Sequence, residues 1–300
     1  MKALEGSQRG FLLLTSRLGN PDRKPLTVAQ FRTLADRVKT MDRVAEDREL
    51  EVRDLMALGY SAAAAGHILA LLDDEELLDY YVAKGARAGC VPISRASALY
   101  PTVIRRRLGL DAPGCLWARG DLALLDTPKI ALVGSRDLAP ENRDFASEAG
   151  RQAAIQGITL VSGNARGADK TAQEACLAAG GRVISVVADA LTLHNPRENI
   201  LYLSEDGYEE EFSAQRALSR NRCIHALGSV VLVAQASLQN GGTWDGTSRN
   251  LRFGWSPVRC FDDGSDAAQV LEQMGARKIT GEDLKDLPAL VEPVINLFDQ

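Results

Sequence analysis

Ile130-Ala131-Leu132-Val133, entered from Lys129 and left through Gly134-Ser135-Arg136, is a short continuous apolar run without polar alternation. A strand buried on both faces of a parallel sheet reads this way. Pro140 suits the first turn of a helix that runs to about Gln156 and stops at Gly157. Residues 158–161 repeat the buried run and end at Ser162-Gly163, and a second helix over 168–179 closes at Gly180-Gly181. A third strand is expected over 183–187, then a long loop and a helix over 212–227. A strand at 230–234, a short helix at 247–253 and a strand at 258–261 follow. Strands separated by helices of ten or more residues need crossover connections. The fold class is therefore α/β: a parallel sheet with helices on both faces.

Ahead of this alternation the pattern is helical, at 26–39, 49–58, 62–72 and 75–85. Thr27 and Gln30 have capping-box spacing, and Ser61 is placed to cap the Ala-rich helix after it. Residues 91–113 read as strand and irregular coil around the cluster Arg105-Arg106-Arg107. The expected organisation is a helical N-terminal region at 1–90 and an α/β domain at 91–300. With 45% hydrophobic and 25% charged residues, the 300-residue chain has material for a buried core and is neither disordered nor a coiled coil. Phe11-Leu12-Leu13-Leu14 is too short for a membrane span or a secretory core, so a cytoplasmic protein without membrane contact is expected.

Thirty-five basic against forty acidic residues give a net charge of −5, so a nucleic-acid ligand would need a local basic groove. The five scattered cysteines lack a Cys-x-x-Cys pair and read as reduced, buried thiols. His67, His194 and His225 lie far apart and read as packing or capping residues, with no metal site expected.

In an open parallel sheet, ligands bind beyond the carboxyl ends of the strands. Small and polar residues gather at those exits here: Gly134-Ser135-Arg136 after the first strand, and Ser162-Gly163-Asn164-Ala165-Arg166-Gly167-Ala168-Asp169 after the second. Asn240-Gly241-Gly242-Thr243 follows the fourth. Glycines let backbone amides approach an anion, and the helix after each loop presents its positive end. Arg136, Arg166, Lys170, Arg220 and Arg222 supply cations near one rim. No Gly-x-Gly-x-x-Gly follows the first strand and no Walker motif occurs, so a standard dinucleotide or P-loop site is excluded. A phosphate-bearing ligand is the inference, and Trp244 is either a stacking face for it or a core residue.

These residues resemble the motifs of the DNA-processing protein A (DprA/Smf) family. Val133-Gly134-Ser135-Arg136 is similar to its first strand exit, and Val161-Ser162-Gly163 through Asp169 to its second. Asn195-Pro196 with Asn199 and Leu201 resembles its Tyr-Pro-x-x-Asn-x-x-Leu, and Arg220-Asn221-Arg222-Cys223-Ile224 with Leu227 its Arg-Asn-Arg-x-Ile-x-x-Leu. The resemblance covers about 95–262. It implies that residues 91–300 form a Rossmann-like domain that binds single-stranded DNA, usually as a homodimer, and hands the strand to a RecA-type recombinase, with no catalytic residue and no cofactor. Carried over, Gly134, Ser135, Arg136, Ser162, Gly163, Arg220, Asn221 and Arg222 would line the phosphate pocket. Arg166, Gly167, Lys170, Gly241, Gly242 and Thr243 join them from the strand-exit reading.

The sequence departs from the family pattern at Asn240-Gly241-Gly242-Thr243-Trp244-Asp245-Gly246, and Ala168 stands where Ile is usual. Glu205, Asp206, Glu209, Glu210 and Glu211 form an acidic stretch that either shields the groove or is a solvated loop. The alternative function is a nucleotide sensor or a nucleotide N-glycosidase-like enzyme. Relatives of that kind place a Glu after Gly-Gly-x-Gly-Thr, whereas Asp245 is the only acid from 241 to 252.

Overall fold

The computed structural model describes residues 4–41, 50–205 and 207–291. Five helices come first: α1 (Gly6–Thr15), α2 (Val28–Val38), α3 (Val52–Ala57), α4 (Ala62–Leu72) and α5 (Glu75–Arg87). Thr27 accepts from the Gln30 amide at 3.3 Å while Gln30 Oε1 accepts from the Thr27 amide at 2.9 Å, the reciprocal pair that fixes the start of α2. Ser61 Oγ caps α4 through the Ala64 amide at 3.2 Å. The expected start of α3 at Glu49 lies outside the described residues. The Phe11–Leu14 run is part of α1, whose Leu12, Leu13 and Leu14 are buried.

Among the described residues nine strands form one sheet: β1 (Cys90–Ser94), β2 (Cys115–Gly120), β3 (Lys129–Val133), β4 (Thr159–Ser162), β5 (Val183–Val186), β6 (Ile200–Ser204), β7 (Val231–Val233), β8 (Val258–Phe261) and β9 (Arg277–Ile279). Their order is β1-β2-β6-β5-β4-β3-β7-β8-β9. From β6 to β9 every pairing is parallel, as the apolar runs imply; β2 pairs antiparallel with β6 and β1 with β2. After β3 the chain winds outward through β4, β5 and β6, then returns to lay β7, β8 and β9 on the other side. β3 and its neighbour β7 therefore flank the point where the winding reverses, and there the strand-exit loops diverge to leave a crevice.

The structure corrects several expectations. Residues 199–212 are not all loop: Ile200–Ser204 form β6, inserted between β5 and β2. Residues 102–108 are helix α6 (Thr102–Leu108) rather than coil, and Arg107 from it donates to the Ala226 carbonyl at 2.9 Å. The short helix expected at 247 begins at Gly241, so the two glycines are its first turn: α10 is Gly241–Phe253.

The remaining helices are α7 (Pro140–Ile155), α8 (Ala168–Ala178), α9 (Ala214–Leu227) and α11 (Asp266–Gln273). Successive side chains of β3 separate the layers. Ile130 and Leu132 pack with Phe145 and Ala149 of α7 and Ala172 of α8. Ala131 and Val133 pack with Ile104 of α6, Cys223 and Ile224 of α9 and Leu271 of α11. α1 and α5 dock on the antiparallel edge through Tyr81, Trp117 and Tyr208, whose ring centroids lie 4.5–5.1 Å apart. All five cysteines are buried and none forms a disulfide. Among the described residues, no helix is long and apolar enough to cross a membrane.

Candidate functional site

A cleft of about 500 Å³ opens at the carboxyl end of β3, bordered by Gly134, Ser135 and Arg136, by α9, and by the start of α10. Close backbone approach builds it. A Cβ on Gly134 would sit 2.5 Å from the Ala168 Cβ and 3.2 Å from that of Ala234. Gly167 has φ +86°, and a Cβ there would lie 2.3 Å from the Ser135 carbonyl oxygen. Ser135 donates its amide to Gln235 O at 2.9 Å and accepts from the Ala168 amide at 3.1 Å. The exits of β3, β4 and β7 are thereby tied together.

Arg220 reaches in from α9 and lies on Gly163, where a Cβ would fall 1.4 Å from its Nη1. The residue is 7% exposed, yet its buried Nε and Nη1 have no acceptor. Burial lowers its pKa, against the opposing charges of Asp169, Glu205 and Asp189. Asp169, in the first turn of α8, accepts from the Ala165 amide at 3.2 Å. Burial raises its carboxyl pKa and the Arg220 charge opposes that rise. Arg136 is exposed on the rim, with no hydrogen-bond or ion-pair partner among the described residues.

Asn221 Nδ2 donates to Gly242 O at 3.0 Å, which holds the first turn of α10 against α9. Asn240, Gly241 (φ +81°), Gly242 and Thr243 border the cleft, so α10 turns its positive end and unpaired amides toward it.

The other expected residues lie elsewhere. Ser162 is fully buried at the end of β4, and Gly163 lies beneath Arg220. Arg166 is exposed and pairs with Asp137 at 2.7 Å, Lys170 is exposed on α8, and neither borders the cleft. Arg222 emerges on the other side of α9, paired with Glu205 at 2.9 Å and donating to Asp111 O at 2.8 Å. The acidic stretch is used for fastening: Glu205 holds Arg222, and Glu209 pairs with Lys84 at 2.8 Å. Asp206 lies outside the described residues. Trp244 is half-buried against the core below the sheet, and Asp245 is exposed away from the cleft.

Sequence reading missed most of the α9 wall. Ala214, Ala217, Leu218, Asn221 and His225 all border the cleft, at the i, i+3, i+4, i+7, i+11 spacing of one helix face. His225 is fully buried with neither ring nitrogen bonded, and burial lowers its pKa from 6.5 to about 3. The folded state then binds this proton less readily than the unfolded state. Stability from this residue is complete above pH 6.5 and is lost as pH falls toward 3. Denaturant unfolding should show about 2 kcal/mol lost between pH 6.5 and pH 5, a loss that His225→Gln removes. An unchanged acid slope in the variant would show that another group carries it.

The family model for DNA recombination-mediator protein A matches residues 92–287. The chain is 33% identical over 192 residues to DNA processing protein DprA of Streptococcus pneumoniae, covering 58% of this chain and 66% of that one. It is 33% identical over 142 residues to protein Smf of Escherichia coli, covering 44% and 38%. The match thus spans less than two thirds of either relative. Among solved structures, DprA of S. pneumoniae superposes with a TM-score of 0.65 at 25% identity, covering 89% of this chain and 99% of that one. DNA processing protein A of Helicobacter pylori, the subject of a study of its single-stranded DNA binding mode, superposes at 0.57 and 25%, covering 68% and 97%. With the sheet, the strand-exit cleft and a model match over most of its length, the chain belongs to the DNA recombination-mediator protein A family.

Proposed function

We propose that the chain binds single-stranded DNA, with a backbone phosphate seated between Arg136, Arg220 and the first turn of α10. The observation that carries this reading is Arg220: a residue only 7% exposed, with buried Nε and Nη1 unpaired, bordering a cleft. Leaving a buried charged donor unsatisfied is costly, and an anion entering the cleft removes that cost. The likeness to the H. pylori protein supports the choice of a single strand. The biological role in this reading is that of a cytoplasmic homodimer that protects the strand and passes it to a RecA-type recombinase. The site acts by binding and not by catalysis, with Ser162, Gly163 and Gly167 shaping the pocket from behind, and Arg166, Lys170 and Arg222 adding field around it.

The test is a titration of oligo-dT against a duplex of equal length at two salt concentrations. The single strand should bind more tightly, with a log–log salt slope of about −0.7 per phosphate contact. Equal affinity for the duplex overturns the reading. Arg136→Ala should weaken oligo-dT of any sequence alike and flatten that slope by about 0.7. Its Tm should stay within a degree or two, since the exposed side chain has no partner to lose. A sharp fall in Tm with unchanged affinity per folded molecule would make Arg136 structural. Incubation with nucleoside monophosphates should release no free base; turnover that is lost in Asp245→Asn would replace binding by hydrolysis.

A further inference from the structure

A second groove, of about 530 Å³, runs along the seam between the N-terminal helices and the sheet. Arg32 and Lys39 reach it from α2, Arg95 from the turn after β1, and Arg105 from α6, against a single lining carboxylate among the described residues, Asp36. Asp36 is shared, lying 3.7 Å from Arg32 and 3.1 Å from Lys39. Arg95 and Arg105 have no carboxylate partner among the described residues. Arg105 donates to the Arg95 carbonyl at 2.6 Å, and Arg95 itself donates to Ala112 O at a long 3.5 Å. Burial lowers the pKa of Arg95, Tyr100 opposes this, and the charges of Arg105 and Arg32 add to the lowering. Cations collected this way in a chain of net charge −5 repel one another until an anionic partner arrives.

The same groove has an apolar side. Phe11 and Phe31 line it with ring centroids 4.1 Å apart, and Leu110 beside them is 45% exposed. It is also connected to the cleft. Arg222 donates to Asp111 O, next to Leu110, while its neighbour Asn221 on α9 borders the strand-exit cleft. One helix thus has the cleft on one flank and the turn leading into the groove on the other.

We propose that this seam groove is a second seat for the same DNA strand, its phosphates on Arg95, Arg105 and Lys39 and its bases against Phe31 and Leu110. The proposal rests on the single-strand reading above. Cationic walls with aromatic surface are the general means of holding unpaired nucleotides, whereas an acidic peptide would use the cations and leave the rings idle.

The experiment compares oligo-dT of about 6 and about 24 nucleotides, since single-strand sites commonly span about 4–16 nucleotides per module. Arg95→Ala/Lys39→Ala should lose about tenfold in affinity for the long strand, flatten its salt slope by about 1.4, and bind the short strand as before. Because Arg95 is half-buried, Arg32→Ala/Lys39→Ala, at positions 62% and 75% exposed, serves as a second variant that the fold tolerates. Wild-type affinity and slope for the long strand in both variants would overturn the proposal. So would displacement of poly-glutamate, but not of DNA, by these substitutions, which would assign the groove to an acidic protein. Arg136→Ala separates the two readings. If it weakens both lengths while the seam variants change nothing, the cleft stands and the groove falls. If it weakens neither, the cleft reading fails, and the groove is judged by its length-dependent effect alone.

Discussion

Arg220→Met is expected to weaken oligo-dT binding by about 30-fold, equivalent to about 2 kcal/mol for losing a charged hydrogen-bonding group. Methionine fills a similar volume, but the melting temperature should fall by several degrees, because the buried Asp169 carboxylate is left without the opposing charge of Arg220. Asp169 then loses the charge that opposes the effect of burial on its carboxyl, and its pKa rises further. Arg220→Lys should recover part of the affinity, since an ammonium supplies the charge without the planar fork. Anisotropy titration and thermal unfolding on the same samples decide the matter. Full affinity in Arg220→Met would remove Arg220 from the binding site.

Gly150→Ala should lower the melting temperature sharply, although it adds only one methyl group. A Cβ at that point of α7 would lie 2.0 Å from the carbonyl oxygen of Ala172 on α8 and 2.9 Å from its carbon. Neither helix can yield easily, because Phe145, Ala149 and Ala172 are packed on β3 from the same side. Overpacking of this kind costs roughly 3 kcal/mol, about 6–12 °C in Tm for a domain of this size. Oligo-dT affinity measured on the folded protein at low temperature should be unaltered, because the crossing borders neither the cleft nor the seam groove. A Tm within two degrees of wild type would mean that α7 and α8 leave room for a methyl group where they cross.

The parallel core could be read from residues 129–133, 158–161, 183–187 and 258–261 because strands covered on both faces are apolar throughout. β6 escaped because Ile200–Ser204 is bracketed by Asn199 at φ +64° and by a carboxylate run, and charge statistics outweighed five residues. β2 escaped because its antiparallel pairing with β6 is set by tertiary contact, information that no local window holds. The cleft divides in the same way. Gly134, Gly241 and Gly242 announce themselves as strand and helix punctuation, so the exits were found. Which of two adjacent arginines faces the cleft depends on helix phase: Arg220 and Arg222 sit two positions apart on α9, so they point to different flanks. Counting from Ala214, Asn221 and His225 would have fixed that phase.

The nesting of Arg220 on Gly163 has a consequence for how such a chain can change over generations. At position 163 even a single methyl group would occupy the space of the guanidinium, with 1.4 Å to Nη1 and 2.3 Å to Cζ. The two positions are far apart in sequence but cannot drift independently. A lineage that acquires any side chain at 163 must shorten residue 220 or push it into solvent, and a lineage that has already lost the arginine leaves 163 free to vary. A transplant of the anion seat onto another Rossmann-like scaffold must carry both residues as one inherited unit.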